Sequence, residues 1–230
     1  MVTLVLWDID HTLVDTRGVG RELFAAAFRQ ATGREMERQA RIDGMTDPVI
    51  FSETADLHGM DTSREDFERF ADALGDGHLR HALALRERGH ALPGAAAALS
   101  AIASLPGVTQ TVVTGNIRAS AEVKLRVFGL DAWMDWEVGA YGQDASERAD
   151  LVHLALARVM EQRKTAVSGT DAVLLGDTPA DVRAGLAHGV QVIGVATGRS
   201  GQAELREAGA GTVLKDLTDT EQLLDRLRLV

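Results

Sequence analysis

The run Val2-Thr3-Leu4-Val5-Leu6-Trp7, followed by Asp8-Ile9-Asp10-His11-Thr12-Leu13-Val14-Asp15-Thr16, constrains this chain more than any other stretch. A short continuous apolar run reads as a strand buried on both faces, the kind found at the middle of a parallel sheet. Residues two apart on an extended chain point the same way, so Asp8 and Asp10 converge just beyond the strand's C-terminal edge. Open α/β sheets bind their ligands at that edge. A lone Asp there is an ordinary strand-ending residue. A pair is harder to account for, because close carboxylates repel unless a cation or a shared proton relieves them.

After Thr16 the period changes. Val19, Leu23, Phe24, Ala27 and Phe28 recur at spacings of three and four, with Gly33 as the stop. A second helix is expected from Asp47-Pro48 to His58, with Asp47 as N-cap, and a third from a capping box at Ser63 to Asp66. Gly75-Asp76-Gly77 should break or bend the third helix before Leu79 to Arg88. Residues 17 to 90 therefore read as wholly helical, with Phe24, Phe28, Phe67 and Phe70 as their core. From Leu92-Pro93-Gly94 onward, helices and β-rich runs alternate. Strands are expected over Val108 to Val113, Trp136 to Gly139, Ala172 to Leu175, Val190 to Val195 and Thr212 to Leu214. Helices are expected over Ala95 to Ser104, Arg118 to Phe128, Ser146 to Met160, Pro179 to His188, Gly201 to Ala208 and Thr218 to Leu229. The fold class is α/β: a Rossmann-like, three-layer core with a mostly parallel sheet, interrupted after its first strand by an all-helical insertion. The expected division is residues 1–16 and 91–230 for the core and 17–90 for the insertion.

Composition narrows the chemistry. The 230 residues are 45% hydrophobic, enough for one large domain or a domain carrying an insertion. There is no Cys, so disulfides, thiolate zinc sites and thiol nucleophiles are excluded. The net charge of −10 argues against nucleic acid or an anionic membrane as partner. The apolar start lacks a basic leader and runs straight into Asp8, and no stretch is long enough to span a bilayer, so a cytoplasmic location is expected.

Three strand ends carry polar groups: Asp8 and Asp10, then Thr114-Gly115-Asn116, then Asp177 with Asp181. Parallel strands bring these ends to one edge. Asp177 and Asp181 alone could be an N-cap and a favourable first-turn charge. Beside Asp8 and Asp10, a hard-cation site becomes the better account, since an all-oxygen donor set suits Mg²⁺ and nothing softer.

Asp8-x-Asp10-x-Thr12-Leu13-Val14, the strand ending Thr114-Gly115-Asn116, and Gly176-Asp177-x-x-x-Asp181 together resemble the haloacid dehalogenase superfamily of phosphotransferases. The helical insertion looks like the type-one cap of that superfamily's phosphoglycolate-phosphatase-like branch. The resemblance implies a Mg²⁺-dependent phosphatase acting on a small phosphorylated metabolite, as a monomer or homodimer. Asp8 would be the nucleophile that forms an aspartyl-phosphate, and Asp10 the acid and base. The metal would sit on Asp8, the Asp10 carbonyl, Asp177 and Asp181, with Thr12, Thr114, Gly115 and Asn116 around the phosphoryl group.

Two positions depart from the pattern. The superfamily usually places a Lys near the start of the helix before the acidic motif; here Arg148 stands at about that place, and Lys164 falls at the wrong end. His11 stands where Gly is common, at a turn a His can tolerate in left-handed conformation. His58, His78, His81, His90, His153 and His188 read as surface or packing residues. In the cap, Arg17, Arg21, Arg41 and Thr46 are the polar candidates to face substrate, with Arg41-Ile42-Asp43-Gly44-Met45-Thr46-Asp47 as the expected loop. A dehalogenase would do without Asp10, and a phosphonatase would need a cap Lys, which residues 17–90 lack. A β-phosphoglucomutase-like isomerase resembles the chain too, but carries an early cap His where Gly20 stands. A non-catalytic binding module would have lost a core carboxylate, and none is lost.

Overall fold

The computed structural model describes residues 3–164 and 167–228. The expected strand start at Val2 and helix end at Leu229 lie outside the described residues. Strand β1 (Leu4–Trp7) is fully buried and lies between two neighbours, as a continuous apolar run requires. The chain then makes a two-residue strand β2 (Val14–Asp15) and four helices: α1 (Val19–Thr32), α2 (Asp47–Asp56), α3 (Arg64–Arg80) and α4 (Ala82–Arg88). It returns through β3 (His90–Ala91), which pairs antiparallel with β2, so the outgoing and incoming chains are tied together. The remainder is α5 (Ala95–Ala103), β4 (Thr109–Val112), α6 (Arg118–Val127), α7 (Arg148–Arg163), β5 (Ala172–Gly176), α8 (Pro179–Ala187), β6 (Gln191–Val195), α9 (Gln202–Glu207), β7 (Thr212–Leu214) and α10 (Thr220–Arg228).

The five-stranded sheet has the order β4-β1-β5-β6-β7, and every pair is parallel. Alternation along β1 divides the core. Val5 and Trp7 join one apolar cluster with α5, α6 and α10, while Leu4 and Leu6 join another with α7 and α8. A third cluster, built on Phe24, Phe28, Phe51 and Phe70, belongs to α1–α4 and takes in Ile117 and Val123 from the α6 region. Its rings pack closely: Phe24 and Phe51 each lie within 4.7 Å of Phe70, measured between centroids. Phe67 is only partly buried at its margin.

Four local expectations need correction. Helix α3 runs unbroken through Gly75 and Gly77. Gly75 is there for contact, since a Cβ on it would lie 2.9 Å from the Cβ of Ala119 in α6. Asp47 is the first helical residue of α2, and Thr46 is the N-cap. Residues 136–139 form no strand; a parallel bridge from Val113 to Ala140 and an Asp135 N–H bond to the Gln110 carbonyl at 2.8 Å add to the edge of β4. Finally, residues 17–90 are not wholly helical, since β3 takes His90; β2 and β3 are too short to leave any alternation in the sequence. Among the described residues, no helix is long and apolar enough to cross a membrane.

Candidate active site

Register builds the site. Trp7 pairs with Val112 on one side and Leu175 on the other, so three strands end level. The next residues, Asp8, Val113-Thr114 and Gly176-Asp177, emerge at one edge. Beyond them lies a cavity of about 330 Å³ between the sheet edge and helices α1–α3. Asp8, Asp10, His11, Thr114, Gly115, Asn116, Arg148 and Asp177 all line it.

Asp8 is 6% exposed. Its Oδ2 accepts from the Thr12 hydroxyl at 3.3 Å and its Oδ1 from the Arg148 guanidinium at 2.5 Å. Thr12 thus steadies Asp8 and does not line the cavity. The same guanidinium donates through Nε to Asp181 Oδ1 at 2.6 Å, so Arg148 bridges two carboxylates with its fork. Asp181 is the third residue of α8, where its Oδ2 accepts from the Thr178 amide and hydroxyl in a capping box. Carboxylate oxygens of Asp8, Asp177 and Asp181 lie within 4.8 Å of one another. This all-oxygen, buried, triply acidic set fits a hard divalent cation. Burial, and then the charges of its acidic neighbours, push the Asp177 carboxyl well above the usual range; burial likewise raises Asp8, against the pull of Arg148. Such crowding is what a cation relieves. Room for Asp177 depends on Gly198, where a Cβ would sit 1.7 Å from Asp177 Oδ2.

The Asp10 side chain stands apart from that triad. Its oxygens accept from Lys124 Nζ at 2.8 and 2.7 Å and from Asn116 Nδ2 at 2.7 Å. Burial opposes ionisation, but the Lys124 charge and these bonds outweigh it and hold Asp10 below the usual carboxylate range. Asn116 also donates to Thr114 Oγ1 at 2.8 Å, which leaves the Thr114 hydroxyl proton for the cavity. Asn116 is therefore a strut between Thr114 and Asp10 as well as a lining residue. His11 adopts φ 61°, the left-handed turn expected, and lines the cavity mouth.

The cap contributes Arg21, Phe24, Asp43, Asp47 and His78 to the lining. Three of the four cap candidates lie elsewhere. Arg41 borders a neighbouring cavity beside Arg183 and Arg199, and Thr46 is fully buried with its hydroxyl donating to the Ser146 carbonyl at 3.2 Å. Arg17 is mostly exposed and pairs with Asp15. Lys164 ends α7 at its C-cap, far along the helix from Arg148. The loop before α2 is joined to the loop after β4 by backbone: Asp47 N–H donates to the Gly115 carbonyl at 2.8 Å, and a Cβ on Gly115 would lie 2.1 Å from the Met45 carbonyl oxygen. The Asp47 carboxylate accepts from Ile117 N–H at 2.8 Å.

Sequence reasoning missed Lys124 and Gly198, while the expected 41–47 loop supplies Ile42, Asp43, Gly44, Met45 and Asp47 to the lining. A signal for Lys124 existed. Ser120 and Lys124 stand four apart among Ala121, Val123 and Leu125, and a Lys on a buried helical face calls for a partner.

Among solved structures, a hydrolase from Pseudomonas syringae superposes with a TM-score of 0.71 at 22% identity, covering 99% of each chain. A predicted phosphoglycolate phosphatase from Haemophilus somnus 129pt gives 0.68 at 15% identity over 97% of this chain and 98% of that one. A candidate β-phosphoglucomutase from Bacteroides vulgatus gives 0.67 at 18% identity over 99% and 89%. These likenesses show a shared fold. No curated protein matches the chain. The family model for haloacid dehalogenase-like hydrolases matches residues 2–189, which takes in all three acidic and polar strand ends, and the chain belongs to that family.

Proposed function

We propose that the chain is a Mg²⁺-dependent phosphatase that hydrolyses a small phosphomonoester through a phosphoryl-aspartate on Asp8. One observation carries this reading: the four carboxylates at the sheet edge are divided, three gathered as a cation site and Asp10 held apart with its own cation. A site for metal alone would have no use for the fourth.

Asp8, Asp177 and Asp181 would hold the metal, which supplies positive charge against the phosphoryl oxygens and lowers their repulsion with the carboxylates. Asp8 attacks phosphorus as the P–O bond to the leaving oxygen breaks, and Asp10, which takes up a proton when the anionic ester beside it offsets the Lys124 charge, delivers that proton to the leaving oxygen. Asp10, now ionised, takes a proton from water as the water attacks phosphorus and the bond to Asp8 breaks. Arg148, the Thr114 hydroxyl and the Gly115 amide hold the phosphoryl oxygens, where charge develops.

A cavity of about 330 Å³ under a cap suits a metabolite and not a macromolecular phosphoester. The mutase alternative finds less support, since Gly20 lines the cavity where a cap His is expected and the cap has no Lys. A screen of phosphorylated metabolites with and without Mg²⁺, with product identification, tests the proposal. Inorganic phosphate released only with metal supports it; phosphate moved to another position of the substrate would establish the mutase.

A further inference from the structure

Lys124 is 5% exposed and lies in mid-helix, on the face of α6 that also buries Ser120 and Ala121. A buried ammonium without a partner is costly. Here it finds three acceptors: both oxygens of Asp10, and Asn116 Oδ1 at 2.6 Å. Asn116 Nδ2 in turn donates to Asp10 Oδ2, so the three side chains close a ring. Asp10 itself is 36% exposed at its side chain and lines the cavity. It is two residues from Asp8, on a loop whose neighbouring carboxylates favour a cation. Left free, a carboxylate there has two destinations, the cation site or the substrate.

We infer that Lys124 is a positioning residue that acts through Asp10, holding its carboxylate out of the Asp8, Asp177 and Asp181 cluster and turned to the leaving-group side of the cavity. The inference rests on the phosphatase reading for its kinetic consequence and on geometry alone for its metal consequence. The superfamily motifs that identify the chain do not include this helix position. Lys124 contributes no bond to Asp8 or Asp181, which belong to Arg148, so the two cations serve different carboxylates.

The test compares wild type with Lys124→Met, Asp10→Asn and the double variant. Two esters are used: an aryl phosphate, whose leaving group needs little protonation, and an alkyl phosphate, whose alkoxide needs a proton. Positioned proton transfer contributes about 10²–10⁴-fold. Lys124→Met is therefore expected to slow the alkyl ester by about 100-fold or more and the aryl ester by less than about 5-fold. In the Asp10→Asn background the same substitution should change neither. Equal losses on both esters, or losses that multiply in the double variant, would overturn the inference. Calorimetric titration with Mn²⁺ provides a second arm. Affinity should rise several-fold in Lys124→Met, and this rise should be much smaller when Asp10 is Asn; no difference between the two backgrounds would also overturn it. Should wild type release phosphate from neither ester, the phosphatase reading fails and the Mn²⁺ arm alone decides the positioning role. Lys124→Gln, which keeps a donor, replaces Met if circular dichroism shows that Met has unfolded the chain.

Discussion

At the scale of the residue, Arg148 and Asp47 carry the strongest consequences. Arg148 satisfies two buried carboxylates at once, and a Lys could reach both only as a point charge. Removing one partner from a buried ion pair leaves a stranded charge, at a cost of about 3–5 kcal/mol. Arg148→Ala should therefore lower both stability in metal-free buffer and turnover, the latter by about 100-fold or more by analogy with the loss of an oxyanion donor. The exposed Arg206→Ala is the control, and equal effects of the two on turnover would place Arg148 outside the chemistry. Asp47 behaves oppositely. Burial pushes its carboxyl up to about 6 despite the Ile117 amide, from an ordinary value of 3.8. The folded chain holds this proton more tightly than the unfolded chain, so the associated stability is complete below about pH 4 and is lost as pH rises through about 6. Asp47→Asn keeps an oxygen for Ile117 and removes the charge. Urea unfolding should find the variant more stable by about 1–3 kcal/mol at pH 7 and equal to wild type near pH 4. A less stable variant at pH 7 would contradict this account of the cap seam.

At the scale of the element, Gly75 separates two explanations of one helix. Were it merely a weak point in α3, Gly75→Ala would stabilise by about 1 kcal/mol through helix propensity. Its missing Cβ instead admits Ala119 of α6, so the substitution forces overpacking that costs about 1–3 kcal/mol. A lowered thermal midpoint is expected, and a raised one would return Gly75 to the role of helix breaker. The same residue shows where the sequence stopped being legible. Periodicity and caps located the helices and most of the strands, because α1 and the Ser63 capping box depend on neighbours a few residues away. A glycine's contact with a helix more than forty positions on leaves no local trace. Nor do β2 and β3, whose pairing is set by the return of the chain from the cap, or residues 136–139, which form no strand and lead to the bridge between Ala140 and Val113. In the site, Asp8, Asp10, Thr114 and Asp177 were legible because each follows a buried strand whose register can be inferred. Arg21 and the 41–47 loop were legible as cap lining, but Lys124, Phe24 and His78 were not, because they depend on how α6 and the cap helices pack. Arg41 and Thr46 failed as lining candidates for that reason: the loop that carries them turns one to a neighbouring cavity and buries the other.

At the scale of the whole molecule, the proposed function requires an acidic chain of net charge −10 to attract an anionic ester locally. It gathers charge at one sheet edge, where Arg148 and Lys124 each neutralise a carboxylate and the remaining acidity makes a place for a divalent cation. The cap narrows the approach and the parallel register brings the parts level, so fold and chemistry share one cause: strands that end together beneath an inserted layer of helices. The central claim is that Asp8 becomes phosphorylated. Rapid acid quenching of wild type during turnover of an aryl phosphate with Mg²⁺, followed by peptide mass spectrometry, should find a phosphoryl adduct on the peptide that contains Asp8, and none in Asp8→Asn. Undiminished phosphate release by Asp8→Asn, or an adduct on another residue, would contradict it.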